Sequence, residues 1–536
     1  MPSGSGVGVW GDKVSWEERA KATELTYFFG VILLLSARLG LQAFLYHSGF
    51  ESLTADEFAW TVLAARWAQS PYAAWSGKWL PFQTYVIGTA LRLRWDLFYI
   101  PRAIVILLGA VSIVLMYQLT SRLFESRKTG LVSAVLLAVN PVHAWLSSTP
   151  LAEMPQMTLI LASMLSFVLY LKRKRKRYIY VGAFALALAS GFRYESWMFS
   201  IVFSLYLIGE GILQLWRKDA SIKESLTLIT VAFIPWMFPA AWILGNYIEI
   251  GDPLYFITAK KLYKLTWYGP NRSYIYYLQT FLKIDPYVTV SGILGLVICL
   301  LHYRQSRPIQ WYVATAVIPF SVFAYLHGGQ IEPPGNFFRY LALFIFVVYP
   351  VFAWQMNSAV GRIVRSDSAR SVLLAMVVLV ITITQVHAIF QFVNDPAADG
   401  LKVGQRIKIL REEHPEISQR PVLIELSYWQ YLAMHVGAND VSLLVYDREL
   451  DIEHRQTSSL FLSDLDTVRR CLALYNISHI VVRSPELKGV IEQNLGILPS
   501  GEVNQYYFYQ VPDVLREAQI HGSLCPLGYD PFGVQP

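Results

Sequence analysis

Long apolar runs, each close to the length of a bilayer-crossing helix, alternate along this chain with short clusters of charged and aromatic residues. A span needs about 20 mostly apolar residues, and eleven stretches qualify, at 25–46, 99–121, 129–147, 152–171, 178–192, 196–215, 225–245, 287–303, 309–326, 340–356 and 371–391. The fifth is short, as a tilted or re-entrant helix would be. Residues 1–24 are polar and lack the short apolar core and small-residue cleavage site of a signal peptide. Between the first two spans, Phe58, Trp60, Leu63, Ala64 and Trp67 recur at helical spacing over 56–69, and a similar pattern runs over 81–95 after Pro81. Two amphipathic helices lying in the membrane interface are expected there.

The pattern changes near residue 393. Short strand-like runs, Val422-Leu423-Ile424, Val441 to Val445 and His479 to Val482, are separated by helical patterns at 399–413 and 464–476, which predicts an α/β domain. The fold class is therefore an α-helical polytopic membrane protein with a C-terminal extracytoplasmic α/β domain, divided into a cytoplasmic segment 1–24, a transmembrane domain 25–391 and the α/β domain 392–536.

Composition removes the soluble alternatives: 54% of residues are hydrophobic and 15% charged, against roughly 25% charged in soluble proteins. The net charge of +7 reads as membrane topology and not as nucleic-acid binding. With the N-terminus inside, inner segments of about 67 residues carry about 20 Lys and Arg, including the run Lys172 to Arg177, against about 11 in about 116 outer residues. Eleven spans then place the C-terminus outside. The long outer loops, 47–98 and 246–286, are where function is expected. Cys471 and Cys525 either pair in an oxidising compartment or stay as two free core cysteines, and no Cys/His cluster has metal-ligand spacing.

Ionisable residues gather at the outer ends of the spans. Asp56 and Glu57 follow the first span, Glu153 sits in the turn Leu151 to Pro155, Arg193 and Glu195 fill the next outer turn, and Lys78 lies between the two interfacial helices. Lys260, Lys261 and Lys264 follow Gly251 to Phe256, and Arg339-Tyr340 opens the tenth span. A carboxylate beside a hydroxyl serves as general base, and Lys and Arg hold a phosphate as it gains charge. Plain alternatives stand beside each: Asp56, Glu57 and Glu153 as helix caps, the lysines as lipid-headgroup anchors, Arg339 snorkelling to the interface.

Asp56-Glu57, Trp79-Leu80-Pro81-Phe82, Asn140-Pro141, Leu151 to Pro155, Gly251 to Phe256 and Arg339-Tyr340, in that order, resemble the GT-C glycosyltransferases, especially the family 39 protein O-mannosyltransferase and lipid A aminoarabinose transferase group. The resemblance covers residues 25–390. It implies inverting transfer of a sugar from a polyprenyl-phosphate donor to a lipid, glycan or protein acceptor on the outer face. Asp56 maps onto the base with Glu57 beside it, Glu153 onto the acceptor-orienting acid, and Lys78, Arg193, Lys260, Lys261 and Arg339 onto candidate phosphate ligands. No cofactor is called for, although a divalent metal stays open; membrane lipids are the remaining partners, with no nucleic acid. The outer domain lacks a Trp-Trp-Asp motif and a trefoil, which favours a prokaryotic enzyme over an oligosaccharyltransferase or a eukaryotic mannosyltransferase. The rivals are a secondary transporter and a silent polyprenyl-phosphate-binding scaffold. A transporter site calls for ionisable pairs near mid-membrane, where only Arg38 and Arg102 stand, without evident partners in the sequence.

Overall fold

The computed structural model describes residues 16–218, 221–259, 261, 272–329, 337–426, 429–448, 458–516 and 525. All eleven apolar stretches are helical in it. Seven helices among the described residues are long and apolar enough to cross a membrane, and two bent pairs raise the number to nine. The other two of the eleven fall short for local reasons. Lys176–Ser190 has 15 residues. Arg127–Val139 stops at Asn140, whose side chain accepts from the His143 amide and starts a new helix, Pro141–Leu146, with Pro141 in its first turn.

Bends in the bundle have similar causes. Ile275–Ile284 meets Pro286–His302 at 116°, because Asp285 is extended and its Oδ1 accepts from the amides of Tyr287 and Val288. Tyr349 donates to the other carboxylate oxygen at 2.7 Å. Arg38 is buried in the first helix, Trp16–His47, and donates to the Ala138 carbonyl at 3.0 Å and to Ser147 Oγ at 2.6 Å. Those contacts tie that helix to the broken one, so Arg38 is spent on packing.

The C-terminal region forms a five-stranded sheet, β1 (Val422–Ile424), β2 (Leu444–Tyr446), β3 (His479–Val482), β4 (Gly501–Val503) and β5 (Tyr506–Gln510). Its order is β2-β1-β3-β5-β4, with β2, β1 and β3 parallel and β5 and β4 antiparallel additions. Three strands lie near the runs expected from the sequence; β4 and β5, and the helix Gln430–Ala438, do not. Helices Asp399–Glu413 and Gln430–Ala438 cross closely: a Cβ on Gly404 would stand 2.2 Å from the Met434 carbonyl oxygen. Cys471 and Cys525 are joined in a disulfide.

The first-loop helices are Asp56–Gln69 and Phe82–Leu93. They pack on each other tightly enough that a Cβ on Gly88 would meet the Trp67 ring at 2.5 Å. Asp56–Gln69 is enclosed by protein on two sides. Trp60 joins the core of the helix bundle, whereas Phe58, Val62 and Ala65 share a second core with Leu401, Tyr431 and Met434. Burying each of the larger apolar side chains contributes about 1.5–3 kcal/mol. One continuous core thus runs from the first loop into the sheet domain, and it holds the first turn of the Asp56 helix in place.

Candidate functional site

The amide ends of three helices converge at one end of the bundle and bring five charged side chains together. Asp56 opens Asp56–Gln69, Glu153 opens Glu153–Arg173, and Glu195 opens Glu195–Arg217. Carboxylates are favoured there by the positive end of the helix dipole. None of the three caps its helix: the cap positions are Ala55, Ala152 and Tyr194, and no side-chain cap bond is made. That removes the capping alternative for Asp56 and Glu153.

Two arginines knit the carboxylates into one network. Arg193 donates through Nη1 to Glu153 Oε1 at 2.8 Å and through Nη2 and Nε to Glu195 at 3.0 and 3.1 Å. Arg339 donates to Asp56 through Nη2, and its Nε stands 3.5 Å from Glu153 Oε1. Tyr340 lies under both guanidinium groups, at 4.6 Å from that of Arg193 and 4.8 Å from that of Arg339. Burial alone would lower the pKa of Arg193, but Glu153 and Glu195 overcome it and the net shift is upward. The side chains of Glu153, Glu195 and Arg339 are 5–8% exposed, whereas that of Asp56 is 37% exposed. Asp56 is the carboxylate an incoming molecule reaches. Glu153 Oε2 is buried without a hydrogen-bond partner among the described residues, an open acceptor at the centre of the cluster.

The remaining sequence candidates divide. Glu57, one residue from Asp56, points away into the protein and pairs with Arg102 at 2.9 Å, both side chains almost wholly buried. Burial pushes its carboxyl up to about 8 against the opposing pull of Arg102 and of the Leu53 amide. This corrects two sequence readings: Glu57 is sealed from the arginine cluster, and Arg102 has a partner. Lys78 is exposed, and its carbonyl accepts at 3.3 Å from Tyr194, which lies between Arg193 and Glu195 in the chain. Phe256 of the Gly251 to Phe256 motif stacks on Tyr194 at 4.5 Å. Asp252 caps locally, accepting from the Leu254 amide and Thr258 hydroxyl. Lys261 is exposed, while Lys260 and Lys264 lie outside the described residues.

Sequence reasoning missed Asn394 and Asp395, which reach from the connector into the Asp56 loop and which only a long-range fold contact could reveal. Among the described residues no group of three His, Cys, Asp or Glu side chains could hold a metal ion. The sheet domain carries a separate cleft of about 470 Å³ at the carboxyl ends of β1 and β3, lined by Glu425, Arg483, Ser484, Pro485, Gln505 and Tyr507.

Residues 79–239 match the family model of the dolichyl-phosphate-mannose-protein mannosyltransferases. A search of curated protein sequences finds no match. Among solved structures, ArnT from Cupriavidus metallidurans bound to undecaprenyl phosphate is similar at a TM-score of 0.61 and 12% identity, over 91% of this chain and 99% of that one. Its apo state gives 0.59 with the same identity and coverage. The Archaeoglobus fulgidus oligosaccharyltransferase, in a complex with Zn and sulfate, gives 0.50 at 12% identity, over 87% and 70% of the two chains. At such identities the structural likeness shows the fold alone. The chain shares the fold of these structures over most of its length and, over residues 79–239, is similar to the mannosyltransferase family.

Proposed function

We propose that the chain transfers a sugar, with inversion, from a polyprenyl-phosphate donor to an acceptor on the extracytoplasmic face, with Asp56 as general base. The observation that carries this reading is the pairing of the exposed Asp56 carboxylate with the buried Arg339, which ties a candidate base to a candidate phosphate ligand. A donor phosphate competes with Asp56 for Arg339, so donor binding frees the carboxylate as it fills the site. Asp56 then takes the proton of the acceptor hydroxyl. The oxygen forms its bond to the anomeric carbon as the bond from that carbon to the phosphate oxygen breaks, and the polyprenyl phosphate leaves with the electron pair. Arg339, Arg193 and Lys78 hold the charge it gains. The open oxygen of Glu153 is suited to orient the acceptor hydroxyl. Lys260 and Lys261 remain additional phosphate ligands in the same reading.

Topology belongs to the same proposal: eleven spans, counting the two short helices, with the N-terminus cytoplasmic and the arginine cluster and α/β domain outside. The excess of Lys and Arg in the inner segments and the Cys471–Cys525 disulfide both support it. The cleft at the carboxyl ends of β1 and β3 offers the domain a place to dock a polar acceptor. Among the described residues Arg38 bonds to carbonyl and hydroxyl oxygens, and Arg102, in the first turn of its helix, pairs with Glu57 of the first outer loop and not with an acid of another span, which speaks against the transporter.

The test is transfer from a panel of radiolabelled polyprenyl-phosphate sugars by purified protein in lipid, wild type against Asp56→Asn. Label moving only with wild type supports the reading, and the labelled fraction identifies the acceptor class. Donor binding without transfer from any sugar would make the protein a scaffold.

A further inference from the structure

The chain between the two first-loop helices, from Trp75 to Phe82, is fastened to three other parts of the molecule. On one side lies helix Met237–Ile250. A Cβ on its Gly245 would stand 2.0 Å from the Trp75 carbonyl oxygen, the Ser76 hydroxyl donates to its Glu249, and its Asn246 Oδ1 accepts from the Gly77 amide at 2.8 Å. Gly77 has a φ of 119°, a conformation that favours glycine, so the bend ahead of Lys78 is built into the backbone. The Lys78 carbonyl accepts from the Tyr194 hydroxyl at 3.3 Å, and that hydroxyl accepts from Trp242 Nε1 at 3.1 Å. Asn246 Nδ2 donates to the Trp242 carbonyl at 3.1 Å and closes the ring. Trp79 meets Trp60 edge to face at 5.3 Å, and Trp60 stands one helical turn beyond Asp56 on the same face. The Phe82 amide donates at 3.2 Å to the carbonyl of Gly191, just ahead of Arg193. Lys78 is therefore held between the Asp56 helix and the Arg193 turn, and among the described residues its ammonium has no hydrogen-bond or ion-pair partner.

We propose that Tyr194 is a positioning residue for donor binding: its hydroxyl holds the Lys78 backbone where the ammonium joins Arg193 and Arg339 on one carrier phosphate. The proposal rests on the reading of Lys78, Arg193 and Arg339 as phosphate ligands. A lysine has a long flexible stem, so without a fixed backbone its charge spreads over a wide volume, and ordering it on a ligand costs affinity. Tyr194 supplies the fixed point because it is itself immobilised. Its ring stacks on Phe256 at 4.5 Å and meets Trp197 edge-on at 5.1 Å. Arg193, its neighbour in the chain, is anchored by Glu153 and Glu195. The bond from the Tyr194 hydroxyl thus sets Lys78 in register with the arginine cluster. A tyrosine that served packing alone would need its ring and not its hydroxyl.

The experiment is binding of radiolabelled polyprenyl phosphate to the full chain in lipid nanodiscs, for wild type, Lys78→Met, Tyr194→Phe and the double variant, with thermal unfolding of each. Phenylalanine keeps the stack on Phe256 and removes only the hydroxyl. Lys78→Met is expected to weaken binding by roughly tenfold or more, the loss of a charged hydrogen bond, and Tyr194→Phe by about threefold to tenfold, the loss of a neutral one. The double variant is expected to bind as Lys78→Met does, because Tyr194 acts through Lys78. If Tyr194→Phe fails to fold because Trp242 Nε1 is stranded, Tyr194→Phe with Trp242→Phe removes both partners of that bond and enters the same cycle. Wild-type binding by Tyr194→Phe, or a loss that adds in full to that of Lys78→Met, overturns the role of Tyr194 and leaves Lys78 a ligand. Unchanged binding by Lys78→Met, or none by wild type, overturns the phosphate reading and this inference with it.

Discussion

Asp56 and Glu57 are neighbours in the chain and opposites in the structure. The first points into a cluster in which two arginines are shared among three carboxylates and one of those carboxylates is open to an incoming molecule. The second points into the protein, where a single buried arginine meets it. Adjacent residues on a helix are about 100° apart, so one backbone start can serve two environments. An ion pair that is sealed and closed holds structure, because breaking it strands a buried charge. One that is shared and partly open can exchange partners, as a phosphate-binding site requires.

That contrast is broken most directly at Asp56. Asp56→Asn should lower transfer by about 10²–10⁴-fold, the usual contribution of a general base, with donor binding retained, as measured by radiolabel transfer and by binding of the labelled donor. Arg339→Gln comes next: a loss of about 10²-fold in kcat/KM is expected from removing one donor to a developing anion, now with weakened donor binding. If it bound donor as tightly as wild type, Arg339 would be no phosphate ligand.

Arg102→Met should do the reverse, with turnover per folded molecule nearly unchanged and stability lowered by about 3–5 kcal/mol as Glu57 loses its buried partner, read from thermal unfolding in lipid. Glu57 adds a pH dependence of its own. Its folded pKa of about 8 lies above its ordinary value of 4.5, so the folded state holds the extra proton between them. Its stabilising contribution is full below pH 4.5 and falls as pH rises to about 8, a window that Arg102→Met extends upward. The smallest effect on transfer is expected from the paired change Cys471→Ser and Cys525→Ser. Opening a disulfide with a sequence separation of 54 removes roughly 4 kcal/mol of constraint on the unfolded domain without touching the arginine cluster. EDTA should also leave transfer unchanged; loss of activity would bring a metal into the reaction.

The arginine cluster was legible residue by residue, since Asp56, Glu153, Arg193 and Arg339 are charges at the ends of apolar runs, where burial is costly unless used. The division of labour between Asp56 and Glu57 was not, because it depends on Arg102, 45 positions further along the chain. Asn394 and Asp395 sit in an ordinary polar connector, and their contact with Gly49 to Ser52 spans more than 300 residues. The helix break that Asn140-Pro141 makes is invisible to apolar composition, because its cause is a side-chain cap and a proline within an apolar run. β4 and β5 were missed because their antiparallel pairing to the parallel strands is settled only by packing on β3.

The sequence by itself determined that this is a multi-pass membrane protein, which residues are helical within it, and which charges collect at one end of the helices. Length and hydropathy suffice for that, since hydrocarbon leaves the backbone few alternatives to a helix. Tertiary structure decided which arginine meets which carboxylate, that the first-loop helices share a core with the sheet domain, and that the connector holds the loop ahead of Asp56. Charge pairing and close packing depend on distances of a few ångströms between residues far apart in the chain, and no local pattern encodes them.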